Sequence, residues 1–163
     1  MPERNSHCSY CGHRFDPGQP WPRTCAACGS RSYLGPAAVA VILVPVGSGL
    51  LTVRRAIEPR LGELSLPGGF VDLGETWQEA GAREVREETG AVIDAGAVRD
   101  LCAISTDDGK LILFGLAPPL PARPRFAANP EVSELVVIDR AAPLAFQPET
   151  RVVAEYFRAP RNG

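Results

Sequence analysis

The segment from Gly69 to Ala91, GFVDLGETWQEAGAREVREETGA, constrains this chain more than any other. It carries six acidic side chains (Asp72, Glu75, Glu79, Glu84, Glu87, Glu88) against two basic ones (Arg83, Arg86), a local balance of −4 in a chain whose formal charge is −2. Thr76 and Glu79 have the spacing of a capping box, in which the hydroxyl accepts from the amide three residues on and the carboxylate reaches back. A helix is therefore predicted from Trp77 to Thr89, free of proline and closed by Gly90 in a left-handed turn. On it Glu84, Glu87 and Glu88 stand at i, i+3 and i+4, so three carboxylates share one face within about a turn. A solvated acidic face accounts for many such runs. Here the acids lie near the helix C-terminus, where the macrodipole disfavours them, and a hard divalent cation with oxygen ligands relieves their repulsion.

The spacing G-x5-E-x7-R-E-U-x-E-E-x-G-U, with U aliphatic, is met by Gly69, Glu75, Arg83, Glu84, Val85, Glu87, Glu88 and Gly90, with Ala91 a weak last aliphatic. On these residues the segment resembles the box of the Nudix family, hydrolases that cleave nucleoside diphosphates linked to another moiety. The resemblance implies an α/β fold, the Nudix α/β/α sandwich with a mixed sheet, over roughly residues 37 to 160. It also implies that Glu84, Glu87 and Glu88 hold Mg²⁺ or Mn²⁺, with one of them serving as general base. Glu75 then pairs with Arg83 to hold the helix against the loop, and a carbonyl of Gly68-Gly69 adds a backbone oxygen. A further metal ligand is implied a few dozen residues after the box, where Glu131 and Glu134 are the candidates and Glu131 is preferred.

Residues 1–36 are expected to form a separate unit ahead of a domain over 37–163. Cys8-Ser-Tyr-Cys11 and Cys25-Ala-Ala-Cys28 are two C-x2-C knuckles, each followed by glycine, with the ligand count of a tetrahedral four-thiolate zinc site. The alternative, disulfides, needs an oxidising compartment. The polar, cysteine-bearing N-terminus lacks a signal-peptide pattern, so a cytoplasmic location is expected. His7 and His13 flank the first knuckle and are read as bystanders. Cys102, in an apolar segment, is read as a small buried hydrophobe.

Strands are predicted at Ala37–Val46, Leu50–Arg55, 98–105, 111–117 and Val132–Ile138, and a closing helix from Pro148 to Arg158. After a polar loop, Leu64 to Gly69 brings the chain to the box, and its paired glycines allow a tight turn and close ligand approach. Residues 118–130 hold five prolines and read as a loop carrying Arg123 and Arg125 towards Glu131 and Glu134. At 163 residues and 45% hydrophobic content the chain suits one domain plus a small appendage. Its longest apolar run, Ala37 to Val46, is too short to span a bilayer. A net charge of −2 argues against a nucleic-acid surface, although all but one of the 17 basic residues are arginine, which suits phosphate contacts.

A small-molecule nucleotide is thus the expected partner, and a homodimer is compatible with the sequence. A zinc ribbon before a Nudix domain resembles the NADH pyrophosphatase group and a related group acting on FAD and ADP-ribose. The Ser-Gln-Pro-Trp-Pro-Phe-Pro type motif of the NADH group is absent, and Leu64 stands where many members have tryptophan. Ala145-Phe146 resembles a segment of the FAD and ADP-ribose group, which favours those substrates. NADH, nucleoside triphosphates or a non-catalytic metabolite sensor are the alternatives. Selectivity is expected from Arg54 or Arg55, the Arg123–Arg125 loop, and the segment Phe146 to Thr150, with Phe146 a candidate to stack a base.

Overall fold

The computed structural model describes residues 5–159. The chain divides into two compact units, Met1–Pro36 and Ala37–Gly163.

In the first unit the two cysteine knuckles repeat one another. The Gly12 amide donates to the Cys8 carbonyl and the Gly29 amide to the Cys25 carbonyl, each at 2.9 Å. Both glycines have positive φ, 75° and 72°, which turns the chain back beside the thiols at no steric cost. A two-residue ladder joins β1 (Arg23–Thr24) to β2 (Arg31–Ser32). Among the described residues its apolar core is Cys8, Phe15 and Cys25 with Trp21 packed on them. The Arg23 guanidinium lies 4.5 Å from the Trp21 ring centroid and caps this cluster.

The second unit is organised on β3 (Ala37–Val46), a ten-residue strand of aliphatic and β-branched residues. Its side chains alternate between two cores. Ile42 and Val44 face one that includes Val85 of α1 (Trp77–Thr89); Val41 and Leu43 face one that includes Val152 and Val153 of α2 (Gln147–Arg158). A helix on each face of the sheet is the expected α/β/α sandwich.

The sheet is mixed. β3 pairs in parallel with β8 (Lys110–Leu116) and antiparallel with β4 (Gly49–Arg55) and β6 (Gly68–Phe70). β4 also takes β5 (Leu64–Ser65) and β9 (Val132–Ile138), while β7 (Arg99–Ser105) closes the far edge against β8.

Two expectations are corrected. The Gly68-Gly69 pair makes no tight turn but runs in the short strand β6, and its glycines serve close approach, because neither has positive φ. A Cβ on Gly68 would stand 2.3 Å from the Ala40 carbonyl oxygen. Cys102 is exposed, since β7 is an edge strand with little packed over it. Glu134 accepts from Arg54 Nε at 2.8 Å across the β4–β9 ladder.

Candidate active site

α1 begins and ends as its sequence dictates. The Thr76 hydroxyl accepts from the Glu79 amide at 3.2 Å, Glu79 Oε2 accepts from the Thr76 amide at 2.7 Å, and Gly90 closes the helix at φ 74°. Gly81 lets it lie close on the sheet, because a Cβ there would stand 2.4 Å from Ile42 Cδ1. The acidic face of α1 is thereby brought onto β6. Gly69 leaves room for Glu84, whose Oε1 would be 2.3 Å from an added Cβ.

Arg83 is the hub of the exposed side. Its Nε and NH2 donate to the two Glu75 oxygens at 3.2 and 2.8 Å, and NH2 also donates to the Phe70 carbonyl at 3.0 Å. Its NH1 donates to Glu84 at 2.7 Å and to Glu87 at 3.4 Å. The guanidinium holds the Glu75 carboxyl below the usual carboxylate range. One arginine thus ties the loop before the helix to the helix itself and to β6.

Glu88 is on the inner side, 8% exposed, with Oε2 accepting from the Gly68 amide at 3.0 Å. Among the described residues no lysine or arginine nitrogen lies within 4.0 Å of it. Burial, with the charges of Glu84 and Glu131 adding to it, pushes its carboxyl up to about 8 against the Gly68 amide and the more distant Arg55. Burial likewise raises Glu84 despite Arg83, and Glu87 and Glu131 act in the same direction.

Glu131 is exposed and shares a cavity of about 210 Å³ with Glu87, Glu88, Asn129 and Pro130. Asn129 positions it. Its Nδ2 donates to the Glu87 carbonyl at 3.1 Å while its Oδ1 accepts from the amides of Glu131 and Val132 at 3.0 and 2.8 Å. The structure therefore brings Glu84, Glu87, Glu88 and Glu131 to one place and leaves Glu134 in its pair with Arg54.

Two residues at this site escaped the sequence reading. Asn129 was one more polar residue in a proline-rich loop. Glu149, at the third position of α2, is 4% exposed and accepts from Ser65 Oγ and the Leu66 amide, 84 and 83 residues away. No local pattern marks a partner that distant. Phe146, just before α2, is half-buried and has the Arg55 guanidinium 5.2 Å from its ring centroid.

In the first unit the Cys8, Cys11, Cys25 and Cys28 ligand atoms all lie within 4.8 Å of one another. The Cys8–Cys28 and Cys11–Cys25 sulfurs are 3.8 and 3.6 Å apart. Four ligands about 2.3 Å from a tetrahedral centre have edges of about 3.8 Å, so the set fits a four-thiolate metal site. The Ser30 hydroxyl and amide draw the Cys28 thiol down to about 6, while the Cys11 thiol, against the His13 backbone contact, is pushed up to about 12 by Cys28, burial and the other sulfurs. The helix carboxylates are not drawn together to that extent among the described residues.

Comparison with known proteins identifies relatives and shared folds. An ADP-ribose pyrophosphatase of Methanocaldococcus jannaschii is 42% identical over 62 residues, 38% of this chain and 37% of that protein. An NAD-capped RNA hydrolase NudC of Salmonella typhi is 36% identical over 84 residues, 51% of this chain and 32% of that protein. The chain thus spans about a third of the length of these relatives.

Among solved structures, a NUDIX hydrolase from Nitrosomonas europaea superposes with TM-score 0.70 at 23% identity, covering 93% of this chain and 90% of that one. A bifunctional NMN adenylyltransferase/ADP ribose pyrophosphatase from Francisella tularensis, solved with AMP and a Mn ion, gives TM-score 0.57 at 22% identity over 75% of this chain and 37% of that one. Both share the fold. The NUDIX domain family matches residues 34–157, and this 163-residue chain belongs to it.

Proposed function

We propose that the chain is a metal-dependent hydrolase that cleaves the diphosphate of a nucleoside diphosphate linked to another moiety, with ADP-ribose and FAD ahead of other substrates. Glu88 carries this reading. A carboxylate so deeply buried, beside Glu84 and Glu131 and without an adjacent cationic side chain among the described residues, is costly unless a cation joins it. Glu84, Glu87, Glu88 and Glu131 would hold Mg²⁺ or Mn²⁺, with a carbonyl of the Gly68-Gly69 pair as a further oxygen. Bound there, the cation supplies charge neutralisation for the diphosphate and acidifies water for attack at phosphorus.

The chain's own part is to place these acids and to take the proton of the attacking water on one of the α1 carboxylates. Arg83 and Glu75 keep α1 and the preceding loop in register while this happens. Arg55 and Phe146, already in contact, are the candidates to hold phosphate and base. Zn²⁺ on the four cysteines would be structural, and those thiolates fit a reducing, cytoplasmic setting. No helix among the described residues is long and apolar enough to cross a membrane.

The name of the Methanocaldococcus relative supports ADP-ribose. A second reading, cleavage of an NAD-type diphosphate, is favoured by the relatives named NAD-capped RNA hydrolase. A hydrolysis screen in Mg²⁺ or Mn²⁺ separates them. ADP-ribose or FAD turned over faster than NADH and NAD-capped RNA is the expected result; much faster turnover of the latter pair overturns the ranking, and binding without turnover marks a sensor.

A further inference from the structure

Glu149 is a buried acid that the mechanism above does not use. Glu79 and Glu149 both occupy the third position of a helix, yet they behave differently. Glu79 is exposed and caps its own helix through Thr76, whereas Phe146 at the start of α2 offers no side-chain cap and Glu149 turns away to the sheet. There its Oε1 and Oε2 accept from Ser65 Oγ at 2.9 and 3.1 Å, and Oε2 also accepts from the Leu66 amide at 3.3 Å. Two residues on, the Gly68 amide donates to Glu88 Oε2 at 3.0 Å.

The residue between them is Pro67, which has no amide to give, and its carbonyl accepts from the Ile42 amide at 2.9 Å. The Leu64 carbonyl accepts from the Ala145 amide at 2.7 Å, just ahead of α2. Leu66-Pro67-Gly68 is therefore a short bridge between two buried carboxylates. One belongs to α2, and the other belongs to the acidic face of α1.

We propose that Glu149 is a positioning residue that fixes this bridge, so that the Gly68 amide orients Glu88 and the glycine backbone faces the proposed metal ligands. It acts through Ser65 and Leu66 and touches neither substrate nor metal. A hydrogen bond to a ligand carboxylate sets the direction of its remaining lone pairs, so loosening the bridge misdirects the ligand without removing it. The inference rests on the reading of Glu84, Glu87, Glu88 and Glu131 as a divalent-cation site.

The test is Mn²⁺ binding by the full-length, zinc-loaded protein, followed by electron paramagnetic resonance without substrate, in wild type, Glu149→Gln and Ser65→Ala. Each substitution is expected to weaken Mn²⁺ binding about tenfold, and to lower kcat on ADP-ribose similarly while KM changes little. Should Glu149→Gln fail to fold, Ser65→Ala decides, because it removes only the hydroxyl. Variants with a lower thermal midpoint but wild-type Mn²⁺ affinity and kcat would show a merely structural contact and overturn the proposal. A wild-type protein that bound no Mn²⁺ would instead remove the cation site, and the proposal with it.

Discussion

At Glu88, burial and like charge act in the same direction, and the consequence is measurable as a pH dependence. In the fold its carboxyl titrates at about 8, and that of Glu149 at about 7, where burial again is the main cause; the ordinary value is 4.5. A carboxyl raised in the native state binds its proton more tightly there than in the unfolded chain. Its contribution is greatest below 4.5 and is lost as pH rises through the native value. Glu75 and Glu79, both lowered, change their contributions only below 4.5 and so outside this window. The zinc-loaded protein without added Mg²⁺ or Mn²⁺ should therefore lose about 3 °C or more in thermal midpoint between pH 5 and 8. Glu88→Gln should flatten that slope. Calorimetry in which the wild-type midpoint rose over this range would contradict the assignment of buried acids.

Residues whose partners are near in sequence were legible before the fold was known. The Thr76–Glu79 box and the left-handed Gly90 follow from spacing alone. Glu149 and Asn129 were not, because a buried glutamate and an ordinary loop asparagine are set apart only by the strand and the helix they meet. Cys102 was misread for the same reason, since an apolar sequence does not tell an edge strand from a covered one.

Between elements, the decisive contact is α1 on β3 and β6, and glycines set its distance. Gly81→Ala should gain about 1 kcal/mol of helix propensity on an isolated helix. Here it drives a methyl into Ile42, which is fully buried, and overpacking of that kind costs about 1–3 kcal/mol. The net effect expected in urea denaturation is a loss of stability, against the intrinsic scale. An unchanged or higher midpoint would mean that α1 rides further from the sheet than the structure places it.

The long strands β3, β4 and β9 could be read as runs rich in aliphatic and β-branched residues, α1 from its capping box and closing glycine, and α2 from its apolar positions, because each carries enough local signal to mark itself. β5 and β6 could not. Two or three residues carry no period, and in β6 the backbone spacing itself is what matters, expressed in a pair of glycines that resemble a turn.

At the scale of the whole molecule, the two units differ in how they are held together. Among the described residues the second has two aliphatic cores, whereas the first has three buried apolar residues and one tryptophan, too little to fold without a crosslink. If the tetrad holds zinc as proposed, a chelator should abolish the fixed environment of Trp21, seen in its fluorescence, while about one zinc per chain is released. A ribbon still folded after complete removal of metal would show that the cysteine tetrad is incidental.

The proposed function makes the acidic face of α1, with Glu88 buried, Glu84 half-buried and Glu87 exposed, the site of diphosphate hydrolysis. It is tested most directly by following ADP-ribose cleavage in Mg²⁺ with wild-type protein and with Glu88→Gln, which keeps the shape of the side chain and removes its charge. AMP and ribose 5-phosphate are expected from the wild type, and a turnover lower by about 100-fold or more from the variant. A folded, zinc-loaded Glu88→Gln protein that cleaved ADP-ribose at the wild-type rate would contradict it.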